Sequence, residues 1–286
     1  MIIDGYEITF GDQKAQEEFA KAYSSFFKVL NNLKAACQVA MDRQPQATFP
    51  MRLMFVFQQI ICEEHFEAVI NLCADGLSMC AMLVLRSMFE YTIIQAYIGQ
   101  DPKRAMLYWD YYWLDLYKRE KDNLAKMPEK RKQLIESNYK RVSEERIAEG
   151  LKDGRFWSAK DMRKMTKDLD FPDYFLLYAY DRPLEETHGT AGAVFRRLEN
   201  REDGQLLFNA ARKPAEDNIT LMLAHWFVIK SLSVLKEHGG IEQLNDPLVQ
   251  CDSDFQQVWG EKSREVESKA RLETKEGPVV GGAASK

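Results

Sequence analysis

The sequence holds only four histidines and five cysteines in 286 residues, and that scarcity removes whole classes of chemistry. No two cysteines form a CxxC pair, so neither a zinc ribbon nor a redox pair is spelled out. Cys37, Cys62, Cys73, Cys80 and Cys251 lie mostly inside apolar, helix-like runs and read as small buried hydrophobes of a reducing compartment. Positive charge is not in excess. The 39 Lys and Arg face 44 Asp and Glu, a formal −5, which argues against a general nucleic-acid coat protein and leaves no expectation of DNA binding. The first residues, "MIIDGYEITF", have neither the basic flank nor the apolar stretch of a signal peptide. No run of about eighteen uncharged apolar residues occurs. Residues 51–72 come nearest, and Glu63, Glu64, His65 and Glu67 interrupt them. The expectation is a soluble cytoplasmic protein with no membrane segment.

What the chain does have is helical periodicity. Hydrophobic residues make up 45%, enough for a sizeable core. Apolar residues recur with the helical period along about 12–42, 50–73, 75–99, from Pro102 onward, 158–169, 172–180, from Pro183, 215–238 and 247–270. Asp75, Asp101 and Ser158 stand as candidate N-caps, Gly99 as a C-cap, and Pro102 sits where a first helical residue belongs. Neither a repeat nor a sheet is visible. The pattern predicts an all-α multi-helix bundle with a short N-terminal β-hairpin or extended arm over residues 1–11, turning at Asp4-Gly5. A single helical domain over 12–270 and a disordered tail over 271–286 complete it. Ten Lys and Arg lie between 118 and 146. Because acidic residues are interleaved, the segment reads as a solvated helical hairpin, about 118–150, with Pro128 splitting it.

One stretch resists this plain reading. "MLVLRSMFEYTIIQAYIG", Met82–Gly99, is apolar nearly all round yet carries Arg86 and Glu90, four residues apart. That spacing puts both on one face within reach of each other. A helix apolar all round is buried, and an ion leaving water unpaired costs several kcal/mol. The two are therefore an internal ion pair or the wall of a polar pocket. Among the histidines, His225 lies beside Trp226 in an apolar run and reads as a core residue, while His238 adjoins Gly239 at a helix end. His188, among polar residues near a helix start, is the expected companion of Arg86 and Glu90.

These residues resemble a known family. "LRSMFEYTIIQAYI" is similar to the Arg-Ser-x-x-Glu helix of an uncharacterised, all-helical bacterial family, domain of unknown function family 5677. "FWSAKDMRKMTKDLDFPDYFLLYAYDRPLEETHGT" is similar to that family's Trp-Ser, short helix, paired tyrosines and histidine. The matching positions are Arg86, Ser87, Glu90, Trp157, Ser158, Tyr174, Tyr178 and His188, within about 50–195. Leu184 stands where the family often has serine. The resemblance implies an all-helical fold, with no assigned activity.

Three functions follow as expectations. Arg182 and His188 form R-x5-H, which looks like the catalytic signature of HEPN-type ribonucleases. There, histidine serves as general acid or base and arginine holds phosphate. In that reading the chain is a metal-independent ribonuclease of toxin or defence type, with His188, Arg182 and Glu90 catalytic. The leading expectation stands apart from catalysis: a buried polar site of Arg86, Glu90 and His188 that binds nucleotide or RNA phosphate, with Arg86, Glu90, Trp157, Tyr174 and Tyr178 as its ligand-binding residues, in a chain expected to form a homodimer. Glu185-x-x-His188 has the spacing of a di-iron ligand pair. The places three residues before the other histidines hold Cys62, Met222 and Leu235, so no metal and no other cofactor is expected. The third expectation is a non-enzymatic interaction or oligomerisation module built on the Tyr and Trp cluster at 108–117.

Overall fold

The structure, a computed structural model, describes residues 2–3, 6–7, 13–148, 158, 160–188, 190, 194, 198–200, 206–208 and 214–276. It is an all-α multi-helix bundle with two short hairpins. In the first, β1 (Ile2–Ile3) and β2 (Tyr6–Glu7) pair antiparallel, Ile2 opposite Glu7. The second corrects the expectation of no sheet. In it, β3 (Leu198–Asn200) pairs with β4 (Leu206–Phe208), Leu198 opposite Phe208. Strands of three residues carry too few positions to show a period in the sequence.

The helix expected over 12–42 is two: α1 (Gln13–Ala22) and α2 (Ser24–Asp42), divided at Tyr23. Next come α3 (Met51–Ala74) and α4 (Ser78–Gly99). Asp75 does not cap α4 as expected. It follows the last turn of α3, with its N–H on Asn71 O, and its carboxylate accepts from Gln16 Nε2 at 2.6 Å. Helix α5 (Pro102–Glu120) starts as read from the sequence: Pro102 is its first residue and the Asp101 carboxylate accepts from Lys103 N at 3.0 Å. Helix α6 (Glu129–Ala148) folds back on α5 around Leu116, Leu124 and Ile135, with Tyr139 stacked 3.8 Å from Tyr117. Asp110 and Arg141 tie the two helices at 2.8 Å, and the Asp110 hydrogen bond holds the guanidinium above its ordinary pKa. The charged segment is thus a hairpin with a small core of its own.

Helix α7 (Met162–Asp168) begins one turn later than expected, capped by Asp161, which accepts from Lys164 N at 2.9 Å. Ser158 serves only the loop before it, accepting from Lys160 N. A continuous helical run follows: α8 (Asp173–Phe175), a π-helical stretch (Leu176–Asp181) and α9 (Arg182–Thr187). The expected break before Pro183 is absent. Proline has no N–H to give to the preceding turn, and the chain passes it by widening rather than stopping.

Helices α10 (Pro214–Gly239) and α11 (Asn245–Glu276) close the bundle. The expected tail from 271 is helical through Glu276; the remainder of it lies outside the described residues.

Helices α3, α4 and α10 form the centre and share an apolar core that includes Phe55, Leu85, Phe89, Phe227 and Leu232. Among the described residues, Glu216–Gly239 of α10, not 51–72, is the span long and apolar enough to cross a membrane, and 72% of its 18-residue apolar stretch is buried in the bundle. Its apolarity follows from contact with the core on most of its circumference. Gly99 lets α4 meet the end of α10: a Cβ there would lie 2.5 Å from His238 Cδ2.

Candidate functional site

Helix α4 is not apolar all round in its surroundings. Its buried residues include Leu85, Met88, Phe89, Thr92 and Ile93, but Leu83, Arg86, Ser87, Glu90 and Tyr91 form a stripe that is exposed or half-buried. Arg86 Nε donates to Glu90 Oε1 at 3.0 Å, and the two side chains are 24% and 35% exposed. Of the two alternatives left open by the sequence, the second holds: the pair stands at the wall of an open cleft and is not dry inside the bundle. In that setting the pair is worth under about 1 kcal/mol.

The cleft holds about 580 Å³. Arg86, Glu90 and Ile94 of α4 form one wall. Tyr108, Tyr111, Tyr112 and Asp115 of α5 form the second, and Asp161, Met162 and Tyr180 close it. Burial pushes the hydroxyls of Tyr108 and Tyr111 above their ordinary pKa, so both remain neutral. Tyr180 reaches the cleft from the π-helical stretch, with its ring 5.7 Å from Phe89 and the Arg86 guanidinium 5.1 Å over it. Behind it, Arg163 grips Asp181, with Nη1 at 3.0 Å from Oδ2. Burial raises the Asp181 pKa, while Arg163 pulls the other way. Arg86 spends one N–H on Glu90. Among the described residues its terminal nitrogens have no further hydrogen-bond partner, so they face the cleft as donors.

The other expected site residues do not gather here. His188 is exposed, follows the last turn of α9 and does not line the cleft. Arg182 lies 4.2 Å over the ring of Tyr178, which is buried at 1% exposure. Tyr174 turns toward α11, its hydroxyl 3.2 Å from Ser263 Oγ. Trp157 lies outside the described residues. Tyr180 and the α5 tyrosines were the missed members. Tyr180 stands two residues beyond Tyr178, and its ring is the one that meets Phe89 and Arg86 of α4. Among the described residues no three His, Cys, Asp or Glu side chains are grouped to hold a metal.

Polar groups elsewhere are architecture. Trp259 Nε1 donates to His225 Nδ1 at 3.2 Å, and Phe26, Phe66 and Phe255 surround that ring. Burial lowers the His225 pKa to about 4. Four of the five cysteines are buried as expected and Cys80 is exposed. Burial pushes the thiols of Cys62 and Cys251 up to about 12, which leaves them inert.

Fold and cleft together define an all-helical protein with a tyrosine-walled polar cleft on its central helices. The chain belongs to a family of unknown function, DUF5677, whose match covers residues 60–205, just over half of it. That span takes in every residue lining the cleft. No curated protein and no solved structure matches the chain.

Proposed function

We propose that this is a soluble intracellular ligand-binding protein. Its cleft takes a planar, nucleobase-type ring, as the base of a nucleotide or of an unpaired RNA residue. The observation that carries the reading is that Arg86 and Glu90 open into the tyrosine-walled cleft instead of lying dry. A guanidinium beside a carboxylate offers donors and an acceptor side by side, the complement of a base edge, and neutral tyrosine rings offer faces for stacking. The charge of the lining favours the base over the phosphate: Glu90, Asp115 and Asp161 outnumber Arg86. The test is titration of the protein with the four common nucleosides and their monophosphates, read by calorimetry. Binding of at least one is expected. Arg86→Met paired with Glu90→Leu should weaken it by about tenfold or more, equivalent to about 1.4 kcal/mol, at unchanged helix content. No binding at about 1 mM, or equal binding by the double variant, refutes the reading.

A second reading keeps Arg182 and His188 as the pair of a metal-independent ribonuclease. Its support is the exposure of His188, which leaves the imidazole open to an RNA strand. Glu185 and Glu186 lie between the two residues and repel phosphate. RNA cleavage by the wild type that His188→Ala removes would favour it over the binding reading; no cleavage by the wild type ends it.

A further inference from the structure

A larger cavity, about 830 Å³, is lined by α3, the end of α2, α5 and Leu235 of α10, with Tyr108 common to it and the cleft. Its lining is mostly apolar. Leu53, Phe57 and Ile60 form one stripe along α3, spanning about 10 Å at 1.5 Å per residue. Trp109 of α5 stands among the lining residues and makes an edge contact with Phe49 at 5.5 Å, and Leu235 lies buried at the floor. Leu53 and Phe57 remain 45% and 53% exposed and Trp109 42%, large apolar side chains that water covers at a cost.

Among the described residues, Arg43 and Arg52 are the only charged ones in the cavity lining. Arg43 follows the last turn of α2 and Arg52 is the second residue of α3, and both line the cavity. Among the described residues neither has a carboxylate within ion-pair distance. Arg52 sits in the first turn of a helix, where the backbone already presents positive charge and an arginine gains nothing from it. Two guanidiniums, unpaired among the described residues, in the lining of an otherwise uncharged trough form a polarised site. Cavities of this size and lining, with a few convergent polar groups, are the usual form of a small-molecule site.

We infer that this trough binds a single-chain amphiphile with an anionic head, of the fatty-carboxylate class. The carboxylate lies between Arg43 and Arg52, and the chain lies along Leu53, Phe57 and Ile60. Guanidinium matches carboxylate in geometry and charge, and the free apolar stripe supplies the energy of burial.

The test uses the full chain and laurate below its critical micelle concentration, with dodecanol as the uncharged probe of equal chain length. Calorimetry should show one laurate per chain and dodecanol bound about tenfold more weakly. Arg43→Gln with Arg52→Gln, both at exposed positions, should bring laurate down to the affinity of dodecanol and leave dodecanol unchanged. Leu53→Asp should remove both. Absence of saturable laurate binding, equal affinity for the two probes, or insensitivity to the double arginine variant overturns the proposal. Binding seen only with lipid vesicles overturns it in favour of a membrane-facing surface. A wild-type dimer that Leu53→Asp splits, with no laurate bound, overturns it in favour of a second copy of the chain.

Discussion

Arg86 and Gln95 sit nine residues apart on the same helix, and they teach opposite lessons. Arg86 carries a full charge, stands out in the sequence and is wet. Gln95 is neutral, inconspicuous and 0% exposed. The Ser231 hydroxyl of α10 lies 2.6 Å from the Gln95 side-chain oxygen and 2.7 Å from that of Gln59 in α3. A hydroxyl has one proton, so it donates to one amide and accepts from the other once that amide is turned over. Gln59 Nε2 then donates to Glu63 at 2.7 Å. The polar group that locks α3, α4 and α10 together is therefore the amide layer, while the ion pair faces a cleft. Within α4, the charged pair stands where water is admitted and the uncharged amide where it is excluded.

That contrast predicts a gradient of effects, largest in the dry core. Phe227→Ala empties a fully buried position in contact with Phe89 and Phe175 and should cost about 3–5 kcal/mol in urea unfolding.

The second effect is one of pH. His225 titrates at about 4 in the folded chain and at about 6.5 when unfolded. Between those values the unfolded chain binds the extra proton, so stability present above about pH 6.5 is lost as pH falls toward 4, by roughly 3 kcal/mol. His225→Gln, which keeps an acceptor for Trp259, should lose that share of the pH dependence. A pH profile identical to wild type would show that the ring is not held neutral.

Third, Ser231→Ala strands two buried amides and should cost about 1–3 kcal/mol. A smaller loss would mean that the amide layer is not what locks the three helices. The smallest effect belongs to the cleft: Arg86→Met or Glu90→Leu alone should shift unfolding by less than about 1 kcal/mol. A loss of several kcal/mol from either single change would place the pair in the dry class beside Gln95 and erase the comparison.

Much of the helical order was legible. Asp101-Pro102 announced the start of α5, Gly239-Gly240 the end of α10, and His225 its core role, because caps, breakers and apolar neighbours act within a few residues. The cleft was only half legible. Arg86 and Glu90 stood out as charges in an apolar helix, but their partners came from α5, whose tyrosines read as an interaction cluster, and from the π-helical stretch, where Tyr178 and not Tyr180 was the expected ligand-binding residue. His188 looked the more reactive companion, yet it lies outside the cleft lining.

The sequence by itself determined the all-α class, the order of most helices and the family to which the chain belongs, since each rests on local periodicity and motif. Only the tertiary structure decided which polar residues are dry. Burial is a property of what packs against a helix from distant parts of the chain, and Ser231 and Tyr180 reach α4 from far along it. It also decided that the tyrosines of α5 and Tyr180 wall one cleft. Helical spacing fixes which face a side chain is on, and packing alone fixes what stands opposite.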